Sequence, residues 1–305
     1  MKTIGQWIAH CEQLLDNAGL YFGHGTDNAH DEAAWLVTWV AAPRSDPDEI
    51  NPDMPVGSEQ ANQLRTLIKQ RIEHKLPMAY VLGEAAFAGL RFEVNSDVLV
   101  PRSPIAELIG SGFEPWFDVR CAERVLDLCT GCGCIGIALA VHHPKLQVDL
   151  ADISGAALDV ARRNVNRHGV AGRVRLVQSD LFAALGDQRY NLIVSNPPYV
   201  PEREIPALPA EYRAEPAIGL SSGNDGLDLP LRIISRAANH LEPGGILICE
   251  LGDSAGCLQD LLPKTPFIWL EFEHGGEGVF TIDREGLLAS QASINRAMEN
   301  RLDVV

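Results

Sequence analysis

The sequence predicts an α/β fold: a doubly wound, mostly parallel sheet preceded by a small helical domain. Three observations carry this prediction. After about residue 122, short β-rich runs (RVLDLC, VDLADI, VRLVQSD, YNLIVSN and GGILICELG) alternate with helix-length segments, the repeat that a parallel sheet with crossover helices requires. Residues 1–84 instead place apolar side chains at helical spacing. Between the first strand and the helix after it lies the turn CTGCGCIG, rich in the glycines that let backbone approach a ligand closely.

With 305 residues, the chain has room for about two domains. In the first, Trp7, Ile8, Cys11, Leu14 and Leu15 mark one helix, Trp35, Leu36, Trp39 and Val40 a second, and Leu64, Leu67, Ile68 and Ile72 a third. Ser58 is the expected N-cap of the third. Pro43, Pro47, Pro52 and Pro55 make the stretch between the second and third helices a loop. Residues 85–121 form the expected connection: AAFAGLRFEV has the alternation and central glycine of a short hairpin, and DVLVPRSP follows it. The larger domain then runs from 122 to 305. Near its end FIWLEFE and GVFTID lie too close for a helical crossover, so they are expected to pair antiparallel. The tail REGLLASQASINRAMENRL is helical in pattern and carries no evident functional residue.

Forty-one acidic residues against twenty-five basic give a formal charge of −16. Such a surface repels nucleic acid and anionic membranes and favours a basic partner, although an acidic surface also serves solubility. No apolar run approaches the roughly 18–20 residues needed to cross a bilayer. The start, MKTIGQWIAHCEQLL, lacks the apolar core and cleavage site of a secretory leader, so a cytoplasmic location is expected. The seven cysteines are odd in number and scattered, which argues against a disulfide framework. Cys129 and Cys132 have CxxC spacing, yet no second pair or histidine stands at zinc-like distance, and no metal is expected. The nine histidines show no catalytic pairing.

Gly131, Gly133 and Gly136 satisfy G-x-G-x-x-G, and Asp152 follows where a ribose hydroxyl would be bound. That pattern suits a nicotinamide dinucleotide and S-adenosylmethionine almost equally. Charge separates them: Asp127, Asp152 and Asp180 end the first three strands and are expected to face one crevice. Like charges there would cost a pyrophosphate on the order of 1–4 kcal/mol each, whereas a sulfonium and an ammonium are attracted by similar amounts. The alternative for Asp127 and Asp180 is that they cap the following helices.

The fourth strand delivers SNPPYV to the same edge. Its two prolines stop the ladder and fix φ, so Asn196 and Tyr199 are presented in a defined geometry. The Asn196 side-chain oxygen and the Pro197 carbonyl can accept both hydrogens of a planar NH₂ group, and Tyr199 is expected to stack on its flat face. A delocalised amide is a weak nucleophile. Acceptors that favour a pyramidal nitrogen stabilise the transition state more than the ground state.

With these residues in hand, the chain resembles the HemK-like family of class I, Rossmann-like methyltransferases that modify glutamine side-chain amides, whose acceptor signature is NPPY. GHGTDN (23–28), VLVPRSPIAELI (98–109), EYRAEPAIGLSSGNDGLDL (211–229) and WLEFEHGGEGVF (269–280) are similar to the branch that acts on a ribosomal protein. The release-factor branch carries PR-x-x-T-E, whereas here SPIAEL follows Pro101 and Arg102. The resemblance implies S-adenosyl-L-methionine as donor and a glutamine of large-subunit ribosomal protein L-three as acceptor. It implies that Thr130, Gly131, Cys132 and Gly133 line the methionine end of the cofactor, with Asp127 nearby. Asp152 and Ile153 would serve the ribose side, and Asp180 and Leu181 would border the adenine. Asn196 would also border the cofactor, and Asn196, Pro197, Pro198 and Tyr199 would hold the glutamine. The family's turn usually opens with glycine where this chain has Cys129, which would be strained if φ there is positive. Arg102 is a candidate for the cofactor or substrate mouth, or for an inter-domain ion pair. Two rivals share part of this pattern: an adenine-amine methyltransferase of nucleic acid, which the charge opposes, and a non-catalytic ribosome-assembly scaffold.

Overall fold

A computed structural model describes residues 1–43 and 50–302. Three elements of the helical part follow the apolar periodicity: α1 (Ile4–Asp16), α2 (Ala29–Ala41) and α3 (Ser58–His74). A short α4 (Met78–Leu82) follows; its single turn and a half is too brief for periodicity to reveal. Thr3 caps α1 in a capping box with Gln6, and Asn28 caps α2. The cap of α3 falls one residue before the expected Ser58. Gly57 takes that place and donates its N–H to Gln60 Oε1 at 3.1 Å.

Trp7, Cys11, Leu15, Leu36, Leu64 and Ile68 form the core of these helices. Leu14, expected on the same stripe, is 37% exposed. The proline-rich loop does more than connect: the Pro52 and Met54 carbonyls accept from the free N–H groups that start α1. Pro47, expected in that loop, lies outside the described residues.

The hairpin appears as β1 (Glu84–Phe87) and β2 (Leu90–Glu93), antiparallel. An unanticipated helix, α5 (Ile105–Ser111), stands between Pro104 and Gly112. The main sheet comprises β3 (Arg124–Leu128), β4 (Gln147–Asp152), β5 (Val174–Gln178), β6 (Tyr190–Ser195), β7 (Leu241–Glu250), β8 (Ile268–Trp269) and β9 (Val279–Asp283). Their order is β5-β4-β3-β6-β7-β9-β8, with β3 to β7 parallel and β9 antiparallel to both neighbours. The C-terminal pair is therefore antiparallel as expected, although β8 keeps only two residues of FIWLEFE.

Alternation along the strands sorts the core into two layers. Val125, Leu192, Val194, Ile246 and Ile248 meet α6 (Cys134–His142) and α7 (Gly155–Arg167) on one face. Leu126, Ile193, Leu247 and Cys249 meet α8 (Asp228–His240), α9 (Ala255–Leu261) and α10 (Arg284–Leu302) on the other. The tail helix α10 has a further task that its sequence did not disclose. Arg301 in its last turn pairs with Asp225 and Asp228, at 2.6 Å each, and so pins the loop that leads into α8.

One buried cation joins the helical part to the rest. Arg71, only 1% exposed, donates to Glu32 Oε1 at 2.7 Å, to Glu211 Oε1 at 3.0 Å and to the Tyr21 carbonyl at 2.9 Å. Removing one partner of such a cluster leaves carboxylates buried and uncompensated. Arg71→Met is therefore expected to lower unfolding stability by about 3–5 kcal/mol in chemical denaturation. Retained stability would show that the two carboxylates simply take up protons.

Candidate active site

The glycine turn after β3 forms the floor of a cleft. Cys129 leaves the strand with φ of +62°, the left-handed conformation that a cysteine adopts only under constraint, and Gly131 follows at +55°. Gly136 lets α6 press on β3, because a Cβ there would come within 2.9 Å of the Asp127 Cβ. This is the close helix–strand packing that the third glycine of the pattern serves.

Asp127 does not face the crevice as expected. It is 1% exposed and lies beneath the turn, where Oδ2 accepts from Thr130 Oγ1 at 2.6 Å and from the Gly136 N–H at 2.8 Å. Burial pushes its carboxyl up to about 7 against those two hydrogen bonds. It holds the turn and the first turn of α6, the capping alternative. Thr130, Cys132 and Gly133 also fail to line the cleft. Thr130 is turned toward Asp127, Cys132 is buried in the layer beneath α7, and Gly133 is the N-cap of α6. Of the four turn residues expected at the methionine end, only Gly131 borders the opening, together with Cys129.

The cleft itself has a volume of about 260 Å³. Asp152, Ile153, Asp180 and Leu181 line it as the ends of β4 and β5 deliver them. Asp152 accepts from the Gly131 N–H through Oδ2 and from the Ser154 N–H through Oδ1, both at 2.9 Å. Burial raises its pKa, and the backbone donors at Ser154, Gly131 and Ile153 oppose that rise. Ile153 is 50% exposed, an apolar surface presented inside the opening. Asp180 does not cap a helix. Arg232 of α8 donates to both its oxygens at 2.8 Å, so its charge is compensated. Sequence reasoning missed Arg232, because nothing local marks a partner that stands across the sheet.

A second cleft of about 330 Å³ adjoins the first. Tyr21, Arg102, Pro197, Tyr199 and Tyr212 line it, whereas Pro198, expected beside Pro197, faces the first. Asn196, Leu99 and Gly219 border both clefts. Asn196 thus stands where two cavities meet.

Comparison with known proteins bears on what passes between them. The Methyltransferase small domain family matches residues 114–208. A ribosomal protein uL3 glutamine methyltransferase of Xylella fastidiosa is 46% identical over 296 residues, covering 95% of this chain and 92% of that protein. One of Xanthomonas campestris pv. campestris is 44% identical, covering 99% and 97%. The chain belongs to the ribosomal protein uL3 glutamine methyltransferase family. A solved methyltransferase of Pyrococcus furiosus, 19% identical, gives a TM-score of 0.45 over 75% of this chain and 99% of that one. The sheet order above speaks for the fold more directly than that distant likeness does.

Membership in a methyltransferase family brings S-adenosylmethionine as the methyl donor, and the first cleft fits it. Asp152 is its one uncompensated carboxylate at a strand end, Gly131 leaves open space where a Cβ would stand, and Ile153 offers an exposed apolar face. Asp152 would receive hydroxyl donors, and Ile153 and Leu181 would flank a flat ring. Among the described residues, no helix is long and apolar enough to cross a membrane.

The wall of the second cleft is built by the family-like segment EYRAEP. Arg102 binds Glu215 through two parallel bonds of 2.7 and 2.8 Å, and its guanidinium lies 5.1 Å from the Tyr212 ring centroid. Arg102 therefore lines the mouth and forms an ion pair at once. His24, from the helical part, brings Nε2 to 3.5 Å from the same carboxylate. Burial alone would raise Glu215, but His24 and Arg102 overcome it and hold its pKa at about 2. The sign follows: a depressed carboxylate contributes stability that is complete above its ordinary value of 4.5 and is lost as pH falls toward 2. Glu215→Gln is expected to flatten the acid limb of the stability profile in that window, measured as Tm against pH. An unchanged limb would remove Glu215 from the account.

Proposed function

We propose that this chain transfers a methyl group from S-adenosyl-L-methionine to the side-chain amide nitrogen of a glutamine in ribosomal protein uL3. The observation that carries the reading is the position of Asn196 on the wall common to both clefts. A group held there touches the space of a donor on one side and of an acceptor on the other.

The donor, when bound, supplies an electrophilic methyl carbon on a sulfonium. The chain's own residues have the harder task of making an amide attack. Asn196 Oδ1 and the Pro197 carbonyl are the acceptors that can hold both N–H bonds of the glutamine amide and favour a pyramidal nitrogen. The prolines fix that geometry before substrate arrives, and alignment of this kind is worth up to roughly 7–11 kcal/mol. Tyr199 is anchored through its hydroxyl on Glu250 at 3.0 Å, so its ring is held at the rim of the acceptor cleft. No strong base is required, because the proton leaves a nitrogen already acidified by methylation.

The charge of −16 suits a basic protein substrate and disfavours the phosphates of a nucleic acid. A ribosomal protein substrate also agrees with a cytoplasmic enzyme. The test uses methyl-labelled cofactor with isolated uL3 or with duplex DNA. Label is expected on a glutamine of uL3; label in DNA alone would overturn the proposal in favour of the adenine reading. Asn196→Ala is expected to keep cofactor affinity within about threefold while methyl transfer falls by roughly 10²–10³. Full transfer by that variant would dismiss Asn196 as the acceptor ligand.

A further inference from the structure

Glu250, the last residue of β7, is 5% exposed yet takes no direct part in either cleft. Its two oxygens are both occupied: Oε2 accepts from Ser103 Oγ at 2.5 Å and Oε1 from the Tyr199 hydroxyl at 3.0 Å. Ser103 Oγ in turn accepts from the Ile105 N–H at 3.2 Å, so its own hydrogen is free to go only to the carboxylate. A third neighbour follows from the ladder. Ser195 of β6 is registered against Cys249 of β7, and the two strands run parallel. Asn196 is the first residue past the end of β6 and Glu250 the last of β7, so each directly follows that registered pair and the two lie side by side where the ladder ends. Burial pushes the Glu250 pKa up, while Ser103, Tyr199, Arg102 and the Asn196 amide all act to favour its ionised form.

An ionised carboxylate can only accept hydrogen bonds, and a side-chain amide has one donating end and one accepting end. From this we infer that Glu250 is a positioning residue that fixes which way Asn196 points. The NH₂ group of Asn196 is drawn to the buried carboxylate, and its oxygen is thereby turned outward to the wall where the clefts meet. Without the carboxylate the two ends of the amide are nearly equivalent in shape, and either can face the acceptor. The inference deepens the function proposed above and rests on it. It concerns specificity: a wall that shows only oxygens welcomes the NH₂ of glutamine and rejects the carboxylate of glutamate, which would bring oxygen against oxygen.

The probe is uL3 in two forms: as isolated, and with the glutamine that the wild-type enzyme labels replaced by glutamate. Both are titrated against enzyme in the presence of S-adenosyl-L-homocysteine. Wild-type enzyme is expected to prefer the glutamine form by on the order of 100-fold, about 2.8 kcal/mol, which lies within the cost of leaving a buried acceptor unsatisfied. Glu250→Gln keeps shape and removes the acceptor-only constraint, so the preference should fall to within about threefold, with kcat reduced and cofactor affinity unchanged. Ser103→Ala, which removes a donor but leaves the carboxylate beside Asn196, should keep the wild-type preference.

A purely structural role would weaken binding of both forms alike and leave their ratio near 100. That result in Glu250→Gln overturns the inference. Equal binding of the two forms by the wild-type enzyme overturns it as well, whether or not the variant folds. Failure of the wild-type enzyme to label any glutamine of uL3 would instead strike the functional proposal, and this inference would fall with it.

Discussion

From β3 the crossover connections run outward through β4 to β5, and from β6 they run the other way through β7, so the carboxyl ends of β3 and β6 leave an opening that no crossover covers. Everything in the two clefts is arranged around that gap. The neighbouring strand ends are tied across it by Ser195 Oγ, which donates to the Leu128 carbonyl at 2.7 Å. β6 ends at that tie, and the prolines begin two residues beyond it. Asn196 therefore leaves the sheet at a fixed height and in a fixed direction, set by the ladder on one side and by Pro197 on the other. The glycine turn fills the β3 side of the same gap, with Cys129 forced into left-handed backbone so that Gly131 can meet Asp152.

The electrostatics of the gap are simpler than a count of carboxylates suggests. Three aspartates end the first three strands, but the protein deals with each differently. Asp127 is buried and raised toward neutrality, Asp180 is paired with Arg232, and of the three Asp152 keeps an uncompensated carboxylate at the cleft, which Asp97 of the connecting segment also lines. Among the strand-end aspartates, the preference for a cationic cofactor therefore rests on one charge rather than three. One is sufficient: at an effective dielectric of about 20 a unit charge at roughly 4 Å still attracts by about 4 kcal/mol. In the second cleft the Arg102 charge is spent on Glu215, and tyrosine, proline and leucine line the opening together with Glu204 and Asp253.

What the sequence made legible was whatever depends on short-range pattern. The glycine turn, the acidic end of β4 and the proline stop after β6 are each specified by a few consecutive residues, the alternation of strands and helices is a series of such local runs, and all four stand where their spacing put them. What stayed hidden depends on pairing across the fold. Arg232 meets Asp180 from another layer, Arg301 meets Asp225 from the far end of the chain, and Glu250 reaches Ser103 across the sheet edge. Asp127 shows the opposite failure. Its place at a strand end was read correctly, but whether such a side chain turns toward the cleft or under the turn is decided by the close packing at Gly136, which spacing does not encode.

The helical part and the sheet part build the second cleft together. Tyr21 belongs to the helical part and lines the second cleft, and its backbone N–H donates to Glu211 at 3.0 Å. Arg71 grips the same carboxylate, and His24 approaches Glu215 four residues on. Residues 211–215 are thus held from both sides: by the helices through Glu211 and by the connecting segment through Arg102 and Glu215. Because Tyr212 lies between these two anchors, any shift of the helical part is carried directly into the wall that faces Asn196. The second cleft takes lining from both parts, and its Tyr212 wall is held by buried ion pairs whose partners are far apart in the chain.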